Sequence, residues 1–222
     1  MEYSGAVAVW GKEAAEAKRS GNDEIVLGLL GAVHENSGVS QRSLAGELGI
    51  ALGLTNACLR RCVHKGYVKV SKAPANRYGY YLTPQGFAEK SRLTARYLGS
   101  SLSFYRTARD EIDALLAVCS DRRWTRLALC GAGELAEIAV LCATQHSTEL
   151  VQVFAPRARK ETFMGLPTVT RLEDLAEVDA FLITDMKRPQ AMFDLVRAHA
   201  GVDRVIAPRL LKIDREVRRK AP

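Results

Sequence analysis

Two stretches of this 222-residue chain carry residue types at spacings that can do chemistry. In the second half, Leu127-Ala128-Leu129-Cys130 runs into Gly131-Ala132-Gly133-Glu134-Leu135-Ala136, an apolar strand followed by Gly-x-Gly-x-x-Ala and a helix. Glycines at such a turn let the backbone approach a phosphate, and the helix N-terminus offers free N–H groups and a positive dipole. Gly131, Gly133 and Glu134 are therefore candidate ligand-binding residues, together with Arg157 after the next strand and Asp185 after the third. An NAD site needs an acid at the end of its second strand to hold the ribose 2′-hydroxyl. Here that strand ends in Phe154-Ala155-Pro156, followed by Arg157, Arg159 and Lys160, which leaves room for an extra phosphate or for no dinucleotide. Glu134 would repel a phosphate at the helix end.

The first half offers a different chemistry. Gly53, Thr55, Asn56 and Ala57 occupy the opening turns of an expected helix, with Arg60 and Arg61 further along. Short side chains near a helix N-terminus suit base edges, and cations beyond them suit phosphates. Asn pairs bidentately with adenine and Arg with guanine. Ser40, Gln41 and Arg42, opening the preceding helix, are placed to contact a phosphate, and Lys65, Lys69, Lys72 and Arg77 extend the basic surface. Between Ser37 and Arg96 ten bases face two acids, an excess of eight where the whole chain carries +7. Leu48 to Ala88 holds six bases and no acid. That is the footprint of a phosphate-binding face.

The elements needed to position these residues can be read from periodicity. Helices are expected over Ile25 to about His34, Gln41–Leu48 with Ser40 as N-cap, and Ile50–Lys65 closed by Gly66. Tyr67–Val70 alternates as a strand, Ser71–Gly79 reads as a hairpin tip with Pro74 and Asn76, and Tyr80–Leu82 returns. Tyr78, Tyr80 and Tyr81 are expected to pack the strands. Thr83-Pro84 opens a helix running to about Cys119, with an interruption near Gly99-Ser100, and the first twenty residues read as a helix or a loose arm. Asp121-Arg122-Arg123 marks a division between 1–120 and 121–222. Beyond it come strands at Leu127–Cys130, Glu149–Phe154, Ala180–Thr184 and Arg204–Ala207, with helices at Gly133–Gln145, Leu172–Leu175 and Pro189–His199. The expected architecture is an α+β winged helix-turn-helix followed by an α/β Rossmann-like domain with a parallel sheet.

The order from Gln41 to Leu82, with Leu48-Gly49-Ile50, Asn56 to Gly66, Gly66–Val70 and Arg77 to Gly86, resembles the winged helices of MarR-type bacterial regulators, in particular the small exopolysaccharide-associated kind. The resemblance implies a transcriptional regulator bound to duplex DNA. Such domains pair through helices outside the recognition element. The helix carrying Leu93, Tyr97, Leu102, Phe104, Tyr105, Ile112, Leu115 and Leu116 then implies a homodimer reading two half-sites. The second half resembles the small Rossmann-like domain that precedes sialic-acid-type sugar O-acetyltransferases and binds a nucleotide sugar. The matching residues are Gly131-Ala132-Gly133, Gly165–Val169, Leu172 to Leu175, Asp179–Asp185 and Val205–Pro208. It departs from that family in Glu134-Leu135-Ala136 and lacks the acyltransferase repeats. A nucleotide or nucleotide-sugar effector is the implied ligand, with no cofactor named.

Other classes are narrowed by composition. No run approaches the length of a membrane span, and the start has no basic region before its short apolar run, so a cytoplasmic protein without membrane contact is expected. Five cysteines without paired spacing argue against a disulfide framework, and Cys58 and Cys62 read as small core residues. His34, His64, His146 and His199 lie on separate elements without a partnered nucleophile, so no enzyme and no metal site is expected. The alternatives are a redox-sensing NAD(H)/NADP(H)-binding repressor, a nucleotide-sugar enzyme with an accessory winged helix, and a protein scaffold.

Overall fold

The computed structural model describes residues 21–73 and 77–215. The expectations for the first twenty residues and for the hairpin tip at 74–76 lie outside them. The chain divides into two compact units, Met1–Ser101 and Leu102–Pro222.

The first unit contains helix α1 (21–35), α2 (Gln41–Glu47), α3 (Leu52–His64), and the antiparallel strands β1 (Val68–Ala73) and β2 (Arg77–Leu82). Leu29, Leu30 and Val33 of α1, Leu44 of α2, Cys58, Leu59 and Cys62 of α3, Val68 and Tyr80 form one buried cluster. Ser40 Oγ accepts from Ser43 N at 3.1 Å, which starts α2. Gly66, at φ 70°, ends the turn after α3 in a conformation that L side chains rarely adopt. The strands are longer than expected, pairing from Val68↔Leu82 to Ala73↔Arg77.

Helix α4 (Pro84–Asp121) is continuous through Gly99 and Ser100, where an interruption was expected. The division between the units falls inside it, at Ser101/Leu102 instead of near Asp121. The reason is packing: Ala108, Ile112, Leu116 and Cys119 of its second half belong to the core of the second unit.

In the second unit, β3 (Arg126–Cys130), α5 (Glu134–Ala143), β4 (Glu149–Phe154), β5 (Thr162–Phe163), β6 (Leu166–Val169), β7 (Ala180–Ile183), α6 (Pro189–Ala200) and β8 (Val205–Ile206) follow one another. The sheet order is β5-β6-β4-β3-β7-β8. Pairings within β6-β4-β3-β7-β8 are parallel, and β5 joins antiparallel to β6 through a turn at Met164-Gly165. The sheet is thus mixed, with two strands more than the sequence suggested. Buried Leu127–Cys130 and Ala180–Ile183 place β3 and β7 at its centre. From β3 the chain crosses to β4 on one side, and from β7 to β8 on the other, so a topological switch point lies between their C-terminal ends.

Candidate nucleic-acid interface and ligand cavity

In α3 the residues Thr55, Cys58, Leu59 and Cys62 form the buried stripe that docks the helix on the core. Gly53, Ala57, Arg60, Arg61, His64 and Lys65 are exposed, and Asn56 is half-buried. This brings Asn56 and Arg60, four residues apart, onto one side of the helix, while Lys65 follows as its C-cap on another side. Thr55 is a correction: it is fully buried, and its hydroxyl donates to the Ala51 carbonyl at 3.2 Å, so it packs inward instead of facing a base. The i, i+3, i+4, i+7 spacing from Thr55 to Cys62 carried that signal.

Three further predicted contacts, Ser40, Gln41 and Arg61, have side chains hydrogen-bonded within the unit. Ser40 spends its hydroxyl on the α2 cap, and Gln41 Nε2 donates to Tyr80 Oη at 3.2 Å, tying α2 to the wing. Arg42 beside them is exposed. Arg61 Nη2 donates to Asn22 Oδ1 at 3.0 Å, and the Lys65 ammonium lies 5.7 Å from the Tyr67 ring centre. Lys69 is exposed in β1 opposite Tyr81, while Lys72 and Arg77 sit near the hairpin tip, opposite Tyr78 and Ala73. Of the three tyrosines expected to pack the strands, only Tyr80 is buried; Tyr78 and Tyr81 are 55% and 47% exposed.

All five cysteines are buried and free. The Cys58 thiol is lowered to about 7 by its hydrogen bond with Cys62 and by the Arg61 charge, against the opposing effect of burial, and Cys62 is pushed up by the same hydrogen bond and by burial. Burial alone raises Cys130. Among the described residues no group of His, Cys, Asp and Glu is placed to hold a metal, and no helix is long and apolar enough to cross a membrane.

At the switch point a cavity of about 700 Å³ opens. It brings together every residue predicted for the ligand: Gly131, Gly133, Glu134, Arg157 and Asp185 all line it. Its volume suits a small metabolite. Gly131 has φ 123°, and a Cβ there would lie 2.6 Å from Asp185 Cα, so the β3 and β7 loops touch through a position only glycine fits. Thr184 Oγ1 donates to the Gly131 carbonyl at 2.8 Å, joining the same loops. Asp185 Oδ1 accepts from Lys187 N at 2.7 Å and Arg188 N at 3.0 Å, which builds the turn into α6. Asp185 therefore shapes the loop with one of its carboxylate oxygens. Gly133 caps α5 without a side-chain hydrogen bond, and Glu134 stands exposed in its first turn.

Sequence reasoning missed Lys187 and Arg188 on the cavity rim and the apolar wall of Met186, Ala191, Met192 and Leu195. The signal was two bases between a buried strand and Pro189, at the position after β7 that mirrors Arg157 after β4.

The N-terminal unit is a winged helix-turn-helix. A family model described as winged helix-turn-helix DNA-binding matches residues 22–69. No curated protein matches the chain. Among solved structures it is similar to MepR, a transcription regulator of the Staphylococcus aureus multidrug efflux pump MepA, at 19% identity over 47% of this chain and 82% of that one, with a TM-score of 0.34. It is also similar to a multiple antibiotic-resistance repressor from Listeria monocytogenes, at 18% identity over 53% of this chain and 88% of that one, with a TM-score of 0.30. Human N-acetylserotonin methyltransferase, solved with SAM, is matched at 13% identity over 93% of this chain and 81% of that one, with a TM-score of 0.31. Likenesses at this level assign no activity or partner to this chain. They do correct one expectation: with an enzyme among the structures matched over most of the chain, the exclusion of an enzyme does not stand.

Proposed function

We propose that the protein is a transcriptional regulator that binds duplex DNA through α3 and the β1–β2 wing and responds to a small nucleotide-type molecule in the switch-point cavity. The observation that supports it best is the side of α3 carrying Asn56 and exposed Arg60, with exposed Lys69 in the wing, in a run of sequence free of acids. In this reading Asn56 reads a base edge, while Arg42, Arg60 and Lys69 hold phosphates. A homodimer reading two half-sites is part of the proposal. Leu93, Ile112 and Leu116 of α4 are consumed by the chain's own cores, but Tyr97, Leu98 and Leu102 are half exposed or more. A ligand favouring one spacing of the two recognition helices would shift operator affinity by its differential binding to the two states.

Selection of duplexes from random DNA tests this reading. Convergence on a two-half-site sequence supports it, with Asn56→Ala relaxing one position and Arg60→Ala weakening all sequences alike. Failure to enrich any sequence contradicts it. A panel of nucleotides, nucleotide sugars, NAD(P)(H) and acyl-CoA, scored for thermal shift and for altered DNA binding, tests the effector half.

A second reading, a nucleotide-sugar enzyme with an accessory winged helix, draws on the same cavity. The Glu134 and Asp185 carboxylates on its wall are groups that could exchange a proton with a bound ligand. Product formation from nucleotide sugars separates the two.

A further inference from the structure

The cavity wall contributed by the loop after β4 carries a base where ribose recognition by an acid would be expected. We propose that the switch-point cavity takes a nucleotide whose ribose bears an additional phosphate, and that Arg157 is the residue that selects it. The inference rests on the effector site proposed above and names the chemistry of its ligand.

The register fixes the relative placement. β3 and β4 are adjacent and parallel, with Cys130 paired to Phe154, and Gly131 N donates to the Phe154 carbonyl at 2.9 Å. The glycine turn into α5 and the loop after β4 therefore start side by side, about one strand spacing (~4.8 Å) apart. In a nucleotide laid across such a crevice, the first turn faces the diphosphate and the end of the neighbouring strand faces the ribose. An acid there accepts from free hydroxyls; a cation there repels nothing from a phosphate and pairs with it.

Arg157 is held for that task. Ala158 N donates to the Ala155 carbonyl at 3.0 Å, closing a turn with Pro156 and Arg157 at its centre. Proline at the first central position pre-sets that turn, so the backbone presenting Arg157 is fixed before any ligand arrives. Ala155 is buried whereas Arg157 is exposed on the cavity, and the next charges are Arg159 and Lys160. Lys187 and Arg188 supply cations from the β7 side, while one Asp185 oxygen is already occupied by their backbone N–H groups. The Met186, Met192 and Leu195 wall gives a base or another flat apolar group a surface to lie on.

The shared chemistry is a ribose phosphomonoester, carried at the 2′ position in NADP+ and at the 3′ position in coenzyme A. Isothermal titration calorimetry on the full chain with two ligand pairs tests it: NADP+ against NAD+, and coenzyme A against dephospho-coenzyme A. The phosphorylated member of at least one pair is expected to bind tenfold tighter or more, and the pair that discriminates identifies the source. Arg157→Ala should bring that member down to its unphosphorylated partner, leave the partner within twofold, and leave the far-ultraviolet spectrum unchanged; Arg157→Lys should fall between. Equal affinities within both pairs, discrimination that survives Arg157→Ala, or binding of UDP-glucose alone would each overturn the assignment while keeping a nucleotide site. Absence of binding by any nucleotide would overturn both the assignment and the effector reading beneath it.

Discussion

Replacing Gly131 by Ala should damage the second unit far more than the same change two residues on. At φ 123° an L side chain is strained, at about 1–3 kcal/mol. The new Cβ would also lie 2.6 Å from Asp185 Cα, which is backbone and cannot swing away, adding about 1–3 kcal/mol as the β3 and β7 loops separate. Together these give a loss of about 2–6 kcal/mol. Gly133 is extended at φ −159°, with nothing within 4 Å of its would-be Cβ, so Gly133→Ala should change stability by less than about 1 kcal/mol. Urea unfolding followed by Trp124 emission, in a Trp10→Phe background, reports on the second unit. At a slope of about 2 kcal/mol per molar urea, the Gly131→Ala midpoint should fall by roughly 1–3 M. Equal midpoints for the two variants would refute the close approach of the two loops.

Glu134→Gln removes a carboxylate from the mouth of α5 and should tighten binding of any phosphorylated ligand severalfold, measured by titration calorimetry, with unphosphorylated ligands unmoved. Asp179 Oδ2 accepts from Thr125 N and Arg126 N at 2.8 and 2.9 Å, and these bonds hold its carboxyl below the usual carboxylate range. A depressed acid contributes stability above its unfolded value of about 3.9 and loses it as pH falls through the folded value. Asp179→Asn should therefore flatten the acid limb of a stability–pH curve for the second unit and lower stability at neutral pH by about 1 kcal/mol. Thr55→Val should leave DNA affinity within twofold, because its hydroxyl bonds only to Ala51, whereas Asn56→Ala should cost about 1–3 kcal/mol at a single base position in an anisotropy assay.

Much of this was legible in the sequence because the two sites rest on local patterns. The glycine turn after Leu127–Cys130 lies beside Arg157 and Asp185 as the alternation of strands and helices implied, since parallel strands bring their C-terminal loops to one edge. The winged helix was equally readable, from its caps and its Gly66 stop. What escaped notice depended on tertiary packing. β5 and β6 are two and four residues long, and Pro167 within β6 hides the strand pattern. Helix α4 runs through Gly99-Ser100-Ser101 despite their low propensity, an outcome that a window of sequence does not decide. Thr55 was misplaced because polar type was weighed above its position in the buried stripe. Tyr80 and Tyr81 differ in burial because adjacent strand residues face opposite sides.

The most direct test of DNA binding is the salt dependence of the full chain's affinity for duplex DNA, measured by fluorescence anisotropy from 50 to ~300 mM salt. Each neutralised phosphate contributes about −0.9 to the slope of log K against log salt. Contacts by Arg42, Arg60 and Lys69 in each recognition unit predict a slope of about −3 per unit, reduced by about one in Arg60→Ala. A slope near zero, or one that Arg60→Ala leaves unchanged, would contradict the assignment of α3 and its wing to the phosphate backbone.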